Sequence, residues 1–155
     1  MILSEVMTPN PKTCSLDDSI QSCAKLMSDA NLGFMPVVDD YGTLVGVITD
    51  RDIAMRATAQ GKGPETRVRF VQSDNPLHLE KEDSLAQAED LMMEGHVRRI
   101  VIIDEERKPI GVVSTSDICR CEKDLERMAD VFGTICEPTA EGRTVERFVG
   151  SSCCG

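Results

Sequence analysis

"GVITDRDI" occupies Gly46–Ile53, and sixty-five residues later the chain reads "GVVSTSDI" at Gly111–Ile118. The register extends outward from the phrase without a gap. Val6 meets Val71, Asn10-Pro11 meets Asn75-Pro76, Asp18-Ser19 meets Asp83-Ser84, Leu26-Met27 meets Leu91-Met92, and Asp39 meets Asp104. One short apolar phrase can recur by chance, but an ungapped register of this reach is the trace of a duplicated folding unit. The chain therefore reads as two similar halves, 1–64 and 65–125, with a C-terminal helix end and flexible tail over 126–155.

Within the first half, Ile20, Cys23, Ala24, Met27 and Ala30 recur at three- and four-residue intervals, which predicts an amphipathic helix over Ser19–Ala30. Asp17-Asp18 just upstream are suited to accept its free N–H groups. "FMPVVDD" and "TLVGVIT" flank the turn residues Tyr41-Gly42 and predict a β-hairpin, and a second helix is expected from Asp50 to about Ala59. "GKGP" at Gly61–Pro64 breaks the pattern, which then restarts, with Ser84–Gly95 as helix, "RRIVIID" and "PIGVVS" as hairpin, and Ser116 onward as the closing helix. Each half is thus β-α-β-β-α, in the α/β (α+β) class. Past Cys121, Leu125, Met128, Ala129 and Phe132 keep helical spacing up to Gly133.

Composition limits the function. A unit of about 60 residues buries only about 60% of its extended-chain surface, so the two halves of this 155-residue chain are expected to share a core. With 27 acidic and 17 basic side chains, the net charge of −10 repels phosphodiester backbones, and no Trp and a single Tyr leave no aromatic platform for single strands; no general nucleic-acid binding is expected. The opening "MILSEVMTPNPK" has no basic leader, and no stretch approaches the ~20 apolar residues that span a bilayer, so a cytoplasmic protein without membrane attachment is expected. The seven cysteines have no framework spacing and read as reduced thiols.

In each copy of the opening phrase, an apolar strand ends at a hydroxyl, Thr49 or Ser114, and three residues on an aspartate, Asp52 or Asp117, stands in the first turn of a helix. A strand end running into a helix start exposes backbone N–H groups and the positive end of the helix dipole, which suit a phosphate. An ionised Asp accepts from two hydroxyls and suits a ribose diol. The same residues are also ordinary helix-capping chemistry, and a duplication would preserve a purely structural cap just as well.

Set on amphipathic helices and apolar hairpins sixty-five residues apart, "GVITDRDI" and "GVVSTSDI" resemble the tandem motifs of cystathionine-β-synthase (CBS) domains, and "SEVMTPNPKTCSLDDSI" resembles that family's first-repeat opening. The resemblance covers about residues 1–125. It implies two CBS repeats packed sheet to sheet about a pseudo-twofold axis, with two clefts between them that bind adenosine-containing ligands of the AMP, ADP and ATP class. Carried over by position, Thr49 and Ser114 would contact phosphate, and Asp52 and Asp117 the ribose. Val37, Val38, Ile102 and Ile103 would lie against the adenine, with Thr13, Cys14, Leu77 and His78 nearby. The second hairpin departs from the first, with Val101 in place of Pro36 and Arg98-Arg99 in place of Gly33-Phe34. Arg98, like Arg51 and Arg56 in the first half, could supply charge for a phosphate or could simply be solvated.

No catalytic constellation accompanies His78 or His96, the only histidines, and Cys119, Cys121, Cys153 and Cys154 do not have the spacing of a zinc site, so neither an enzyme nor a resident cofactor or metal is expected. The expected function is a stand-alone regulatory module that homodimerises and passes a ligand-driven change to a separate target protein. The alternative is a ligand-independent interaction scaffold in which both motifs are only caps.

Overall fold

A computed structural model describes residues 1–137. The expected tail from residue 138 on, with Cys153 and Cys154, lies outside the described residues. In chain order the elements of the first half are α1 (Leu3–Val6), β1 (Thr8–Pro9), β2 (Cys14–Ser15), α2 (Ile20–Ala30), β3 (Phe34–Val38), β4 (Leu44–Thr49) and α3 (Asp50–Asp52). Those of the second are β5 (Ser73–Asp74), β6 (His78–Glu80), α4 (Leu85–Gly95), β7 (Arg99–Ile103), β8 (Pro109–Ser114) and α5 (Thr115–Cys121), followed by α6 (Leu125–Cys136). β2 runs parallel to β3, and β6 to β7. Parallel neighbours need a crossover, and α2 and α4 supply it.

The strands form two four-stranded sheets, ordered β1-β8-β7-β6 and β2-β3-β4-β5. Their pairings repeat at the sequence offset. Cys14 faces Val37 as Leu79 faces Ile102, Phe34 faces Thr49 as Arg99 faces Ser114, and a bulge at Val37/Val38 recurs at Ile102/Ile103. Even the left-handed backbone positions are shared, at Asn10 and Asn75, Asn31 and His96, and Gly42 and Arg107. Asp39 and Asp104 close the two hairpin turns alike, each carboxylate accepting two backbone N–H groups of its turn.

Sequence halves and spatial halves are out of step at their leading ends. β1 pairs with β8, Thr8 opposite Val112, while β5 pairs with β4, Ser73 opposite Val47. The Leu3 N–H donates to Asp83 O at 2.8 Å, and the Val68 N–H donates to Asp18 O at 2.9 Å. Leu3 accordingly belongs to the second core, with Leu85, Met92, Ile100, Ile102 and Ile118, and Val68 and Val71 belong to the first, with Ile20, Cys23, Met35 and Ile48. A third apolar cluster, Leu44, Val101 and Ile103 with Phe34 and Val47, lies between the sheets, so the two halves pack sheet to sheet as the resemblance implied.

Three expectations are corrected. The α2 cap is Ser19, whose Oγ accepts the Ser22 N–H, whereas Asp18 accepts the Ser15 N–H and Asp17 is paired with Arg67 and Arg69. The helix expected over Asp50–Ala59 is one α-helical turn that widens into a π-helical turn over Ile53–Ala57 and then tightens into a 3₁₀ turn over Thr58–Gln60. Finally, α6 continues to Cys136 and buries Val131 and Ile135, leaving Leu125 74% exposed. Its register is set by Arg127, which pairs with the buried Glu89 (2.9 Å) and with Asp90 (2.5 Å) on α4 and keeps its charge more firmly than an ordinary arginine because of them, Glu89 first.

Candidate functional site

Both repeated motifs close into the same local structure. Asp52 Oδ2 accepts from the Thr49 N–H and from Thr49 Oγ1, both at 2.9 Å, and Thr49 Oγ1 accepts the Asp52 N–H at 3.1 Å. In the second copy, Asp117 Oδ2 accepts from the Ser114 N–H at 2.7 Å and from Ser114 Oγ at 2.6 Å. Thr49 and Asp52 form a complete capping box, and in the second copy Asp117 closes the same reach back to Ser114 while Ser114 Oγ makes no cap hydrogen bond to the helix, so the motif serves a helix start in each half. The surroundings of the two motifs differ.

Ser114 and Asp117 form part of the wall of a cleft of about 310 Å³ between the sheets. Strand exchange builds the adjoining wall, because the cleft is bordered by Thr8, Pro9, Asn10, Pro11 and Lys12 of the leading segment. Across from them stand Asn31, Leu32, Gly33, Phe34 and Pro36 of the first half, with Arg99 and Val112 of the second. Arg99 holds its guanidinium 5.9 Å from the centroid of the Phe34 ring, a cation–π contact between two residues that occupy the same position in the repeat. Asp117 is 4% exposed, and its free Oδ1 pairs with Arg120. The cleft thus offers hydroxyl and amide groups, two cations and an apolar wall, within the usual size range of small-molecule sites.

Thr49 and Asp52 line neither this cleft nor a second cavity, of about 350 Å³ between α2 and the start of α3, bordered by Ala24, Met27, Ser28, Asn31, Leu32, Asp50 and Ile53. Instead Arg56, on the π-helical turn, lies against the first motif. Its Nη1 donates to Val71 O (3.1 Å), Gln72 O (2.9 Å) and Ser73 Oγ (3.1 Å), and stands 3.6 Å from Asp52 Oδ1.

The remaining sequence candidates are dispersed. Val37 and Ile102 are fully buried on the helix-facing sides of their sheets, because side chains alternate along a strand and the cleft-facing positions are Phe34, Pro36 and Arg99. Val38 is half-buried, and Ile103 is in the inter-sheet cluster. Cys14 is a core residue whose thiol is raised above its ordinary value by a hydrogen bond with Cys23 and by burial. Thr13 and Leu77 are half-buried outside the cleft lining, and His78 Nδ1 lies 2.9 Å from Pro76 O. Arg51 and Arg98 are exposed and do not line the cleft; Arg99, the other member of the arginine pair, does. Lys12 and the Thr8–Pro11 segment were missed as site residues. The departures at Pro36 and Phe34/Arg99 were the available signal, since they fall on the cleft-facing register.

The family model of the CBS domain matches residues 3–58 and 68–124. The chain belongs to the CBS domain family. The CBS domain-containing protein YhcV of Bacillus subtilis is 38% identical over 116 residues, covering 75% of this chain and 81% of that protein. The CBS domain pair of protein MJ0100, solved in complex with 5′-methylthioadenosine and S-adenosyl-L-methionine, superposes with a TM-score of 0.71 at 27% identity, over 77% of this chain and 98% of that one. CBSX2, solved in complex with AMP, gives 0.68 at 25%, over 77% and 93%. The two matched segments agree with the sixty-five-residue repeat, and the CBS pair is the fold those structures share with this chain. Among the described residues, no helix is long and apolar enough to cross a membrane.

Proposed function

We propose that this CBS pair is a regulatory sensor that binds a phosphate-bearing adenosine ligand, of the AMP, ADP or ATP class, in the cleft at Ser114 and Asp117. The observation that carries the reading is the pairing, in one open cleft, of that motif with the side chains of Lys12 and Arg99. Ser114 and the start of α5 would meet phosphate, Asp117 the ribose, and the apolar wall at Leu32, Phe34 and Pro36 the base. Lys12 and Arg99 favour an anionic ligand over a sulfonium such as S-adenosylmethionine, because their combined charge attracts phosphate. The AMP held by CBSX2 supports this class, whereas the 5′-methylthioadenosine and S-adenosyl-L-methionine of the MJ0100 pair support an adenosine ligand without a phosphate.

In this reading the output is conformational, and it passes through a homodimer to a target protein. A ligand can shift the pose of the two repeats only by its difference in affinity for the two poses. Isothermal titration calorimetry against AMP, ADP, ATP and S-adenosylmethionine tests the reading. Saturable binding of a nucleotide, lost in Asp117→Ala while the protein stays folded, is the expected result. A folded, nucleotide-free protein that binds none of the four would leave the scaffold reading in its place.

A further inference from the structure

The internal repeat lets each cleft serve as the control for the other. Sixty-five residues relate Thr8 to Ser73, Asp117 to Asp52 and Cys121 to Arg56. In the second half, Thr8 and Asp117 both border the open cleft. In the first half, their counterparts Ser73 and Asp52 are both touched by one group, Arg56 Nη1, at 3.1 Å from Ser73 Oγ and 3.6 Å from Asp52 Oδ1. The same nitrogen also donates to the carbonyl oxygens of Val71 and Gln72, whose counterparts Val6 and Met7 meet no side-chain donor among the described residues, Cys121 standing where the arginine would be.

From this geometry we infer that Arg56 is a built-in occupant of the first cleft, so that the chain has a single ligand site, at Ser114 and Asp117, and the Thr49/Asp52 motif is retained as a helix cap alone. The inference deepens the proposed function and rests on it. A cation hydrogen-bonded to two carbonyls and a hydroxyl, and ion-paired with the motif carboxylate at 3.6 Å, stands where ribose hydroxyls would otherwise approach Asp52. It is tethered to the chain, so a free ligand competes with a group at high effective concentration. The π-helical turn over Ile53–Ala57 belongs to the same device. It is the point at which the two closing helices diverge, the second remaining α-helical over Thr115–Cys121, and π-helical turns are rare and frequent at functional sites.

Stoichiometry decides the matter. Titrating the full chain with AMP, ADP and ATP should give one equivalent per chain for the nucleotide that binds, abolished by Asp117→Ala. Arg56→Ala should open a second equivalent, lost again when Asp52→Ala is added. Arg56→Met, which keeps the bulk of the aliphatic stem, serves the same purpose should the alanine variant fail to fold, as judged by its thermal transition. Two equivalents in the natural chain overturn the inference and leave the proposed function standing, as does one equivalent in a folded Arg56 variant. One equivalent that survives Asp117→Ala overturns the inference as well. Binding of no nucleotide by the natural chain and by the Arg56 variant overturns the proposed function itself, and the inference with it.

Discussion

At the residue scale, the two aspartates of the repeated motif show how one side chain can serve two purposes. A carboxylate has two oxygens, and in each copy Oδ2 is committed to the cap while Oδ1 faces an arginine, Arg56 in the first and Arg120 in the second. The Arg120 side chain is 69% exposed and reaches only Asp117, so it can give way to a ligand, whereas Arg56 is tied to two carbonyls and a hydroxyl besides. The cysteines divide just as sharply. Cys14 and Cys23 are 4% and 1% exposed, and Cys119 and Cys136 are exposed. A maleimide followed by peptide mapping should therefore modify Cys119 and Cys136 in the folded protein and reach Cys14 and Cys23 only as urea unfolds it; equal labelling of all four would contradict the packing of the first core.

At the element scale, α6 is held by charge as much as by apolar contact. Val131 and Ile135 enter the second core, while Arg127 neutralises Glu89, which is 2% exposed and has one oxygen, Oε1, with no hydrogen-bond partner among the described residues. Arg127→Ala should cost about 2–3 kcal/mol in urea denaturation, below the ~3–5 kcal/mol of a fully buried pair because Arg127 keeps a third of its side chain in water. Replacing Glu89 and Arg127 together by leucine should recover most of that loss, since it removes the stranded charge. The exchanged strands make a second element-scale prediction. A Cβ on Gly46 would lie 1.8 Å from Gln72 Oε1 and 2.9 Å from the backbone oxygen of Ser73, while the nearest atoms to one on Gly111 belong to the Met7 side chain, with its sulfur at 2.3 Å. Gly46→Ala should destabilise by about 1–3 kcal/mol, and Gly111→Ala by less, because a methionine can turn aside and a paired strand cannot.

At the scale of the whole molecule, the two halves have one topology but are not equivalent. The second has an open cleft beside its motif and is covered by α6; the first has Arg56 against its motif, and the groove between α2 and α3 is not lined by any residue of α6. Light scattering should give twice the 17.0 kDa chain mass if the proposed homodimer is right, and a monomer at working concentration would remove that part of the proposal. The repeat, its sixty-five-residue spacing, the hairpins and the amphipathic helices were legible in the sequence because each depends on local periodicity and turn chemistry. Tertiary structure alone decided which strand completes which sheet, because β1 and β5 are two residues long and carry no pattern of their own. It also decided which face of β3 and β7 meets the cleft, since a shift of one residue along a strand exchanges core for cleft and the apolar run "IVII" that follows Arg99 carries no alternation to reveal it. Most of all, it decided that two near-identical phrases stand in different surroundings, because Arg56 lies four residues beyond its motif in the chain and acts on a backbone some fifteen residues further on.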